Sequence, residues 1–181
     1  GQASSGAESD DQLSPLGQRQ ADLTGEFLAK MGVTLNAAYS GDLSRQRETG
    51  QRVIDQLERP AQLIIDPRCN EVQTDEQIEV MMPLLKERDA RFADLVAAMD
   101  ADTKSFQKII ETVFSYWVSS DCDVAGIQSW ADYSEGVVSA FEGAMASAAS
   151  GTDTAIFTSG GTIATIVGHV LRLTSDRVYE F

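Results

Sequence analysis

The densest positive charge in this acidic chain stands in Tyr39–Thr49, read as Tyr-Ser-Gly-Asp-Leu-Ser-Arg-Gln-Arg-Glu-Thr, where Arg45 and Arg47 open a helix. The apolar run Ala37-Ala38-Tyr39 before it reads as a strand, and in an open α/β sheet ligands bind in the crevice at such strand ends. The pattern points to an anion site. Asp42 is placed to cap the helix, whose free N–H groups and positive dipole end attract anions, and Arg45 offers a planar two-pronged donor. Arg47 lies about 160° around the helix from Arg45 and is expected to form a surface salt bridge instead. Thr49, one turn on, shares the Arg45 face. The plainer alternative is a solvated helix face with exposed arginines. Gly160 and Gly161, with Thr162, open a second helix after an apolar run, leaving its first N–H groups accessible to an anion, with the Ser159 hydroxyl as a further donor.

These groups need elements to hold them. Ser14-Pro15 reads as an N-cap with proline in the first turn, followed by Leu16, Leu23, Phe27, Leu28 and Met31 at helical spacing and a stop at Gly32. That is an amphipathic helix expected to lie on a sheet. Val33–Tyr39 leads into a strand, Leu43–Leu57 into a helix with Val53, Ile54 and Leu57 inward, and Leu63-Ile64-Ile65 into a short buried strand closed by Asp66-Pro67. From about 75 to 150 the periodicity is helical only, carried by Ile78, Met81, Met82 and Leu85, then Phe92 to Met99, then Phe106 to Trp117. The small residues Ser139–Ser150 suggest close helix packing. Thr154–Thr158 returns as a buried strand before the Gly160 helix. The expected architecture is therefore α/β, a three-layer α/β/α fold with a mostly parallel central sheet and a helical insertion, in one domain over 1–181.

Bulk properties narrow the partners. The 181 residues carry a formal net charge of −14, which repels nucleic acid and acidic membrane surfaces. Phosphate binding must then rest on a local cluster of arginine, backbone N–H and helix ends. Cys69 and Cys122 are the two cysteines, too few and too far apart for a zinc cluster, and read as reduced thiols of a cytoplasmic protein, Cys69 as a packing residue. The one histidine, His169, falls among Ile166, Val167, Val170 and Leu171 and reads as a partly buried structural residue.

Four segments in order give the chain a resemblance to the histidine phosphatase superfamily, also called the phosphoglycerate mutase-like family: Gly1-Gln2-Ala3-Ser4, Leu13–Gly17 with Gln20-Ala21, Tyr39–Thr49, and Thr158–Thr162. The resemblance implies a metal-independent phosphatase, without cofactor, that hydrolyses a phosphomonoester through a phosphohistidine. Arg45 takes the place of a phosphate-clamping arginine, and Glu71, in Arg68-Cys69-Asn70-Glu71, that of the acid-base glutamate; a loop carboxylate paired with Arg68 is its alternative. Gly1, Gln2, Ser4, Ser159 and Gly160 fall at phosphate-binding positions. Gly1 aligns with the last member of the family's Arg-His-Gly triplet, so the nucleophilic histidine and the first strand are expected upstream of Gly1. Ser159 stands where the family usually has a second histidine, which weakens the expected grip on phosphate. The implied partner is a small phosphorylated substrate or a phosphoprotein, not nucleic acid or membrane, with a homodimer as one assembly. Two alternatives share the fold: a catalytically impaired member that binds a phosphate ligand or a protein, and, ranked last, a phosphoglycerate mutase-type phosphotransferase. Specificity is expected from the insertion, including Met81, Met82, Trp117 and Trp130.

Overall fold

The computed structural model describes residues 11–99 and 103–180. Its described elements are α1 (Pro15–Lys30), β1 (Leu35–Ser40), α2 (Ser44–Asp55), β2 (Leu63–Ile65), α3 (Thr74–Arg88), α4 (Ala90–Ala97), α5 (Thr103–Trp117), α6 (Trp130–Ser147), β3 (Asp153–Phe157) and α7 (Gly160–Leu171), with 3-10 turns at Pro67–Cys69 and Ser175–Glu180. The fold is α/β. Among the described residues the strands form one sheet in the order β2-β1-β3. Both pairings are parallel, with Tyr39 of β1 opposite Ile64 of β2 and Ile156 of β3. Parallel neighbours need a crossover between them, and α2 supplies the one from β1 to β2.

The described residues make two compact units, one ending at Glu71 and including Gly136–Ile166, the other built from Val72–Glu135 and the segment from Val167 onward. In the first, Leu35, Ala38, Ile54 and Leu57 form the core, joined by Leu28, Val33, Leu63 and Phe157. Val53 and Ile54 of α2, and Leu57 two residues past its end, point inward as their spacing predicts.

The first helix differs from its expectation. Leu16, Leu23, Phe27 and Met31 are 67 %, 46 %, 61 % and 65 % exposed, whereas the buried residues of α1 are Gly17, Ala21 and Gly25. The cause is close approach to α2: a Cβ on Gly25 would lie 2.6 Å from the Val53 carbonyl oxygen. Helical period marks an apolar face but not its partner, and here the small-residue face makes the contact. The two outer strands are also less buried than their apolar runs suggest. Ile64 and Ile65 are 41 % and 42 % exposed and β3 is half-buried, because each pairs with β1 on one side only among the described residues.

The second unit is helical. Met81, Ile109, Val113 and Trp117 are its buried centre, and Trp117 packs edge-on against Trp130, ring centroids 5.4 Å apart, while its indole N–H donates to the Gln128 carbonyl. Met81 and Trp117 are thus core residues. The helices α3 to α6 run from Thr74 to Ser147, over the stretch where periodicity places the insertion, and Ala140 and Ala144 are buried in α6. No described helix is long and apolar enough to cross a membrane.

Candidate active site

The site is built on the first unit, where β1 and β3 lie side by side and parallel. Their C-terminal ends therefore deliver the first turns of α2 and α7 to the same edge of the sheet, the place where α/β folds bind ligands. Gly41 follows β1 because nothing larger fits. A Cβ there would lie 2.0 Å from Gln46 Oε1, 2.4 Å from Asn70 Oδ1 and 2.9 Å from the Cys69 carbonyl oxygen.

The cap of α2 is not Asp42. Leu43 takes the N-cap position without a side-chain hydrogen bond, which leaves Asp42 one residue too early to reach the helix amides. Asp42 pairs instead with Asn70: its N–H donates to Asn70 Oδ1 at 2.8 Å, and Asn70 Nδ2 donates to its carboxylate at 2.6 Å. The carboxylate at the head of α2 comes from Asp11. It accepts the N–H of Ser44 at 2.8 Å, the N–H of Arg45 at 3.4 Å and Arg45 Nη1 at 3.3 Å. Burial alone would raise the Asp11 pKa, but the hydrogen bonds from Ser44 and Arg45 and the Arg45 charge outweigh it, so Asp11 lies below the ordinary carboxylate value. The head of α2 thus binds an anion, and the anion here is the chain's own.

Arg45 and Arg47 exchange their expected roles as ion-pair partners. Arg45, with 19 % of its side chain exposed, carries the ion pair with Asp11, whereas Arg47 is exposed, reaches Ser44 Oγ at 3.5 Å and has no ion pair among the described residues. The reason is geometric: Asp11 lies on the face of Arg45, not that of Arg47. Thr49 does share the Arg45 face, its hydroxyl donating to the Arg45 carbonyl at 2.8 Å.

Glu71 sits at the head of α7. The Gly161 N–H donates to its carboxylate at 3.1 and 3.3 Å, and a Cβ on Gly160 would lie 4.0 Å from Glu71 Oε2. A helix N-terminus favours such a negative group. The alternative partner, Arg68, is engaged elsewhere: it binds Asp66 at 2.6 Å and Ser139 at 3.0 Å. The segment before Glu71 ties the two helix heads together. The Cys69 carbonyl accepts from Thr158 Oγ1 and from Gln46 Nε2, and the Asn70 carbonyl accepts from Thr162 Oγ1. Gln46 Nε2 also donates to Ser159 Oγ at 2.8 Å, so α2 is joined directly to the turn before α7.

Arg45, Glu71, Ser159 and Gly160 therefore all lie on the turns after β1, β2 and β3; Gly1, Gln2 and Ser4 lie outside the described residues. Sequence reasoning missed Asp11, Gln46 and Asn70. Gln46 had a readable signal: it falls on the inward face of α2 with Gly50, Val53 and Ile54, and a glutamine on that face must be held by hydrogen bonds. His169 is exposed in the last turn of α7, not partly buried. That end of the helix suits a basic side chain through the dipole. It is nine residues beyond Gly160, roughly 13 Å along the helix axis. Cys69 is 3 % exposed, and burial, with the nearby Asp66 charge, pushes its thiol up to about 11 against a smaller opposing effect of Arg68, the behaviour of a packing residue rather than a nucleophile.

The sheet is parallel, and its strand ends bring an arginine, a glutamate and two helix heads to one edge. The family model of the histidine phosphatase superfamily, branch 1, matches residues 2–181, and the chain belongs to that superfamily. No match is found among curated proteins. Among solved structures, a mycobacterial glucosyl-3-phosphoglycerate phosphatase is similar with a TM-score of 0.58 at 19 % identity, over 92 % of this chain and 72 % of that one. The same mycobacterial phosphatase complexed with VO3 gives 0.60 at 18 % identity over the same shares. The product of an open reading frame of Mycobacterium tuberculosis gives 0.57 at 14 % identity, over 94 % of this chain and 72 % of that one. At these identities the likeness is one of fold, shared with phosphatases.

Proposed function

We propose that the protein is a metal-independent phosphatase that hydrolyses a phosphomonoester through a phosphohistidine, with the nucleophile a histidine preceding Gly1 in the reading frame. The observation that carries this reading is the side-by-side emergence of the α2 and α7 heads from two adjacent parallel strands, cross-linked by Gln46 and Ser159. Arg45, the Ser159 hydroxyl and the amide of Gly160 would surround the equatorial oxygens, placing positive potential where charge develops, while the Gly161 amide holds Glu71 beside them. The histidine nitrogen attacks phosphorus as the bond to the leaving oxygen breaks, and Glu71 gives that oxygen its proton. The resulting Glu71 carboxylate then takes a proton from the water that cleaves the nitrogen–phosphorus bond. His169 does not fit the nucleophile's role, being exposed at the opposite end of α7.

The substrate class is a phosphorylated small molecule or phosphoprotein in the cytoplasm. A net charge of −14 disfavours nucleic acid and acidic membranes as partners and leaves the local arginine to overcome the long-range field. The mycobacterial neighbour's substrate, a glycosylated phosphoglycerate, makes small sugar-like phosphate esters the first class to screen.

A second reading keeps the anion site and drops the turnover. Two observations favour it: a neutral Ser159 in place of the family's cationic ring, and an Asp11 carboxylate seated on the Ser44 and Arg45 amides that an anion would use. The discriminating experiment follows p-nitrophenyl phosphate with protein expressed from its complete reading frame, in the presence of a metal chelator. Steady turnover is expected. Bound phosphate without turnover would instead establish the binding module.

A further inference from the structure

We propose that Gln46 is a positioning residue that fixes the direction of the Ser159 hydroxyl proton and so makes Ser159 a donor toward a phosphoryl oxygen. This inference rests on the phosphoryl-site reading above and adds to it the residue that sets the polarity of the serine.

Gln46 is 3 % exposed, so its amide must find partners within the protein. Its nitrogen faces two oxygens, the Cys69 carbonyl at 3.3 Å and Ser159 Oγ at 2.8 Å. A carbonyl oxygen only accepts, so the NH₂ end of the amide must be the end that faces it; turning the amide over would set two acceptors against each other. With the amide so fixed, the hydroxyl of Ser159 receives a proton from Gln46 and cannot give its own back along the same line. The serine proton is thereby directed to another acceptor, and Ser159 immediately precedes Gly160, the first residue of α7, beside the Gly161 amide that holds Glu71.

Gln46 Oε1 is buried without a hydrogen-bond partner among the described residues. The described residues thus pair the NH₂ end of the amide and not its oxygen. A buried glutamine whose NH₂ end is fixed by a carbonyl and points at a serine of the site is what a positioning role requires. It also offers a physical account of how a neutral serine serves at a phosphate-binding turn: its one donor is pre-aimed, which removes the rotational freedom an isolated hydroxyl would lose on binding.

The test is a double-mutant cycle on the binding of inorganic phosphate, measured by titration calorimetry with protein from the complete reading frame. Ser159→Ala is expected to weaken phosphate about five- to tenfold, the effect of one neutral hydrogen bond. Gln46→Met, which keeps length and removes the donor, should weaken it several-fold, and a thermal melt alongside checks that the variant is folded at the titration temperature. The double variant should bind no more weakly than the Ser159→Ala single variant. Losses that multiply in the double variant, or an unchanged affinity in Gln46→Met, would overturn the proposal. Neutron diffraction of the unaltered protein gives the same decision without a variant: a deuteron on Ser159 aimed at Gln46 contradicts it, and one aimed away supports it. If Arg45→Ala abolishes phosphate binding while Ser159→Ala leaves it unchanged, the phosphoryl site stands and this inference alone fails. A wild-type protein that binds no phosphate removes both.

Discussion

Replacing Arg45 by alanine is expected to lower kcat/KM for phosphate-ester hydrolysis by at least about 10²–10³-fold, the loss seen when one preorganised donor to developing charge is removed. Arg45 has few substitutes here. Its guanidinium is positioned by the first turn of α2, and its immediate neighbour in the helix is locked to the far side of the site through Ser159. In a protein of net charge −14, deleting the local cation leaves phosphate facing an unopposed negative field. Folding should barely change. The ion pair with Asp11 is partly exposed, at 19 % and 42 % for the two side chains, and a pair of that kind contributes under about 1 kcal/mol. A circular-dichroism melt alongside the kinetics separates the two effects: a large loss of rate with an intact melt assigns the loss to the chemistry. Equal turnover in the variant and the wild type would remove Arg45 from the site.

The second large effect belongs to Glu71. Glu71→Gln keeps an oxygen to accept the Gly161 N–H, so the head of α7 should hold its place, but the amide cannot give a proton to a leaving alcohol. The expected outcome depends on the leaving group. With an alkyl phosphate, whose alkoxide departs poorly, kcat should fall about 10²–10⁴-fold. With p-nitrophenyl phosphate, whose phenolate leaves unaided, phosphoenzyme formation should change little, and any residual loss should appear in the water step, where Glu71 acts as base. A loss of the same size for both esters in a single-turnover measurement would show that Glu71 holds structure and transfers no proton.

Which parts of this were legible in the sequence follows from the range of the interactions involved. The strand–helix alternation and the inward triad Val53, Ile54 and Leu57 were readable because they repeat within a few residues. The burial of α1 was not. Its periodic Leu16, Leu23, Phe27 and Met31 mark one face, while the contact with α2 is decided by how closely two backbones approach at Gly25. The site divides the same way. Arg45, Ser159 and Gly160 stand in short local motifs, but the carboxylate that caps α2 comes from Asp11, 33 residues before Ser44, and Glu71 meets an amide 90 residues away. Local pattern named Asp42 for the cap because it is the nearest carboxylate. The chain instead uses Asp42 to brace the loop against Asn70.

Polar residues that touch no reacting atom hold the site together. Asn70 binds the turn after β1 with its side chain and α7 with its carbonyl, Thr158 and Gln46 share the Cys69 carbonyl, and Gly41 leaves room for all of them. Catalytic groups placed on three separate turns need such ties, because misplacement by about 1 Å is enough to cost about 10²-fold in rate.

The central claim is that the heads of α2 and α7 form one cradle for a phosphoryl group. It is tested most directly by a crystal structure of the protein, expressed from its complete reading frame, with orthovanadate bound. The account predicts the vanadate oxygens within hydrogen-bond distance of the Arg45 guanidinium, Ser159 Oγ and the amides at the start of α7, with Asp11 displaced from its contact with Arg45. Vanadate bound away from both helix heads, with Asp11 still seated on Ser44 and Arg45, would contradict it.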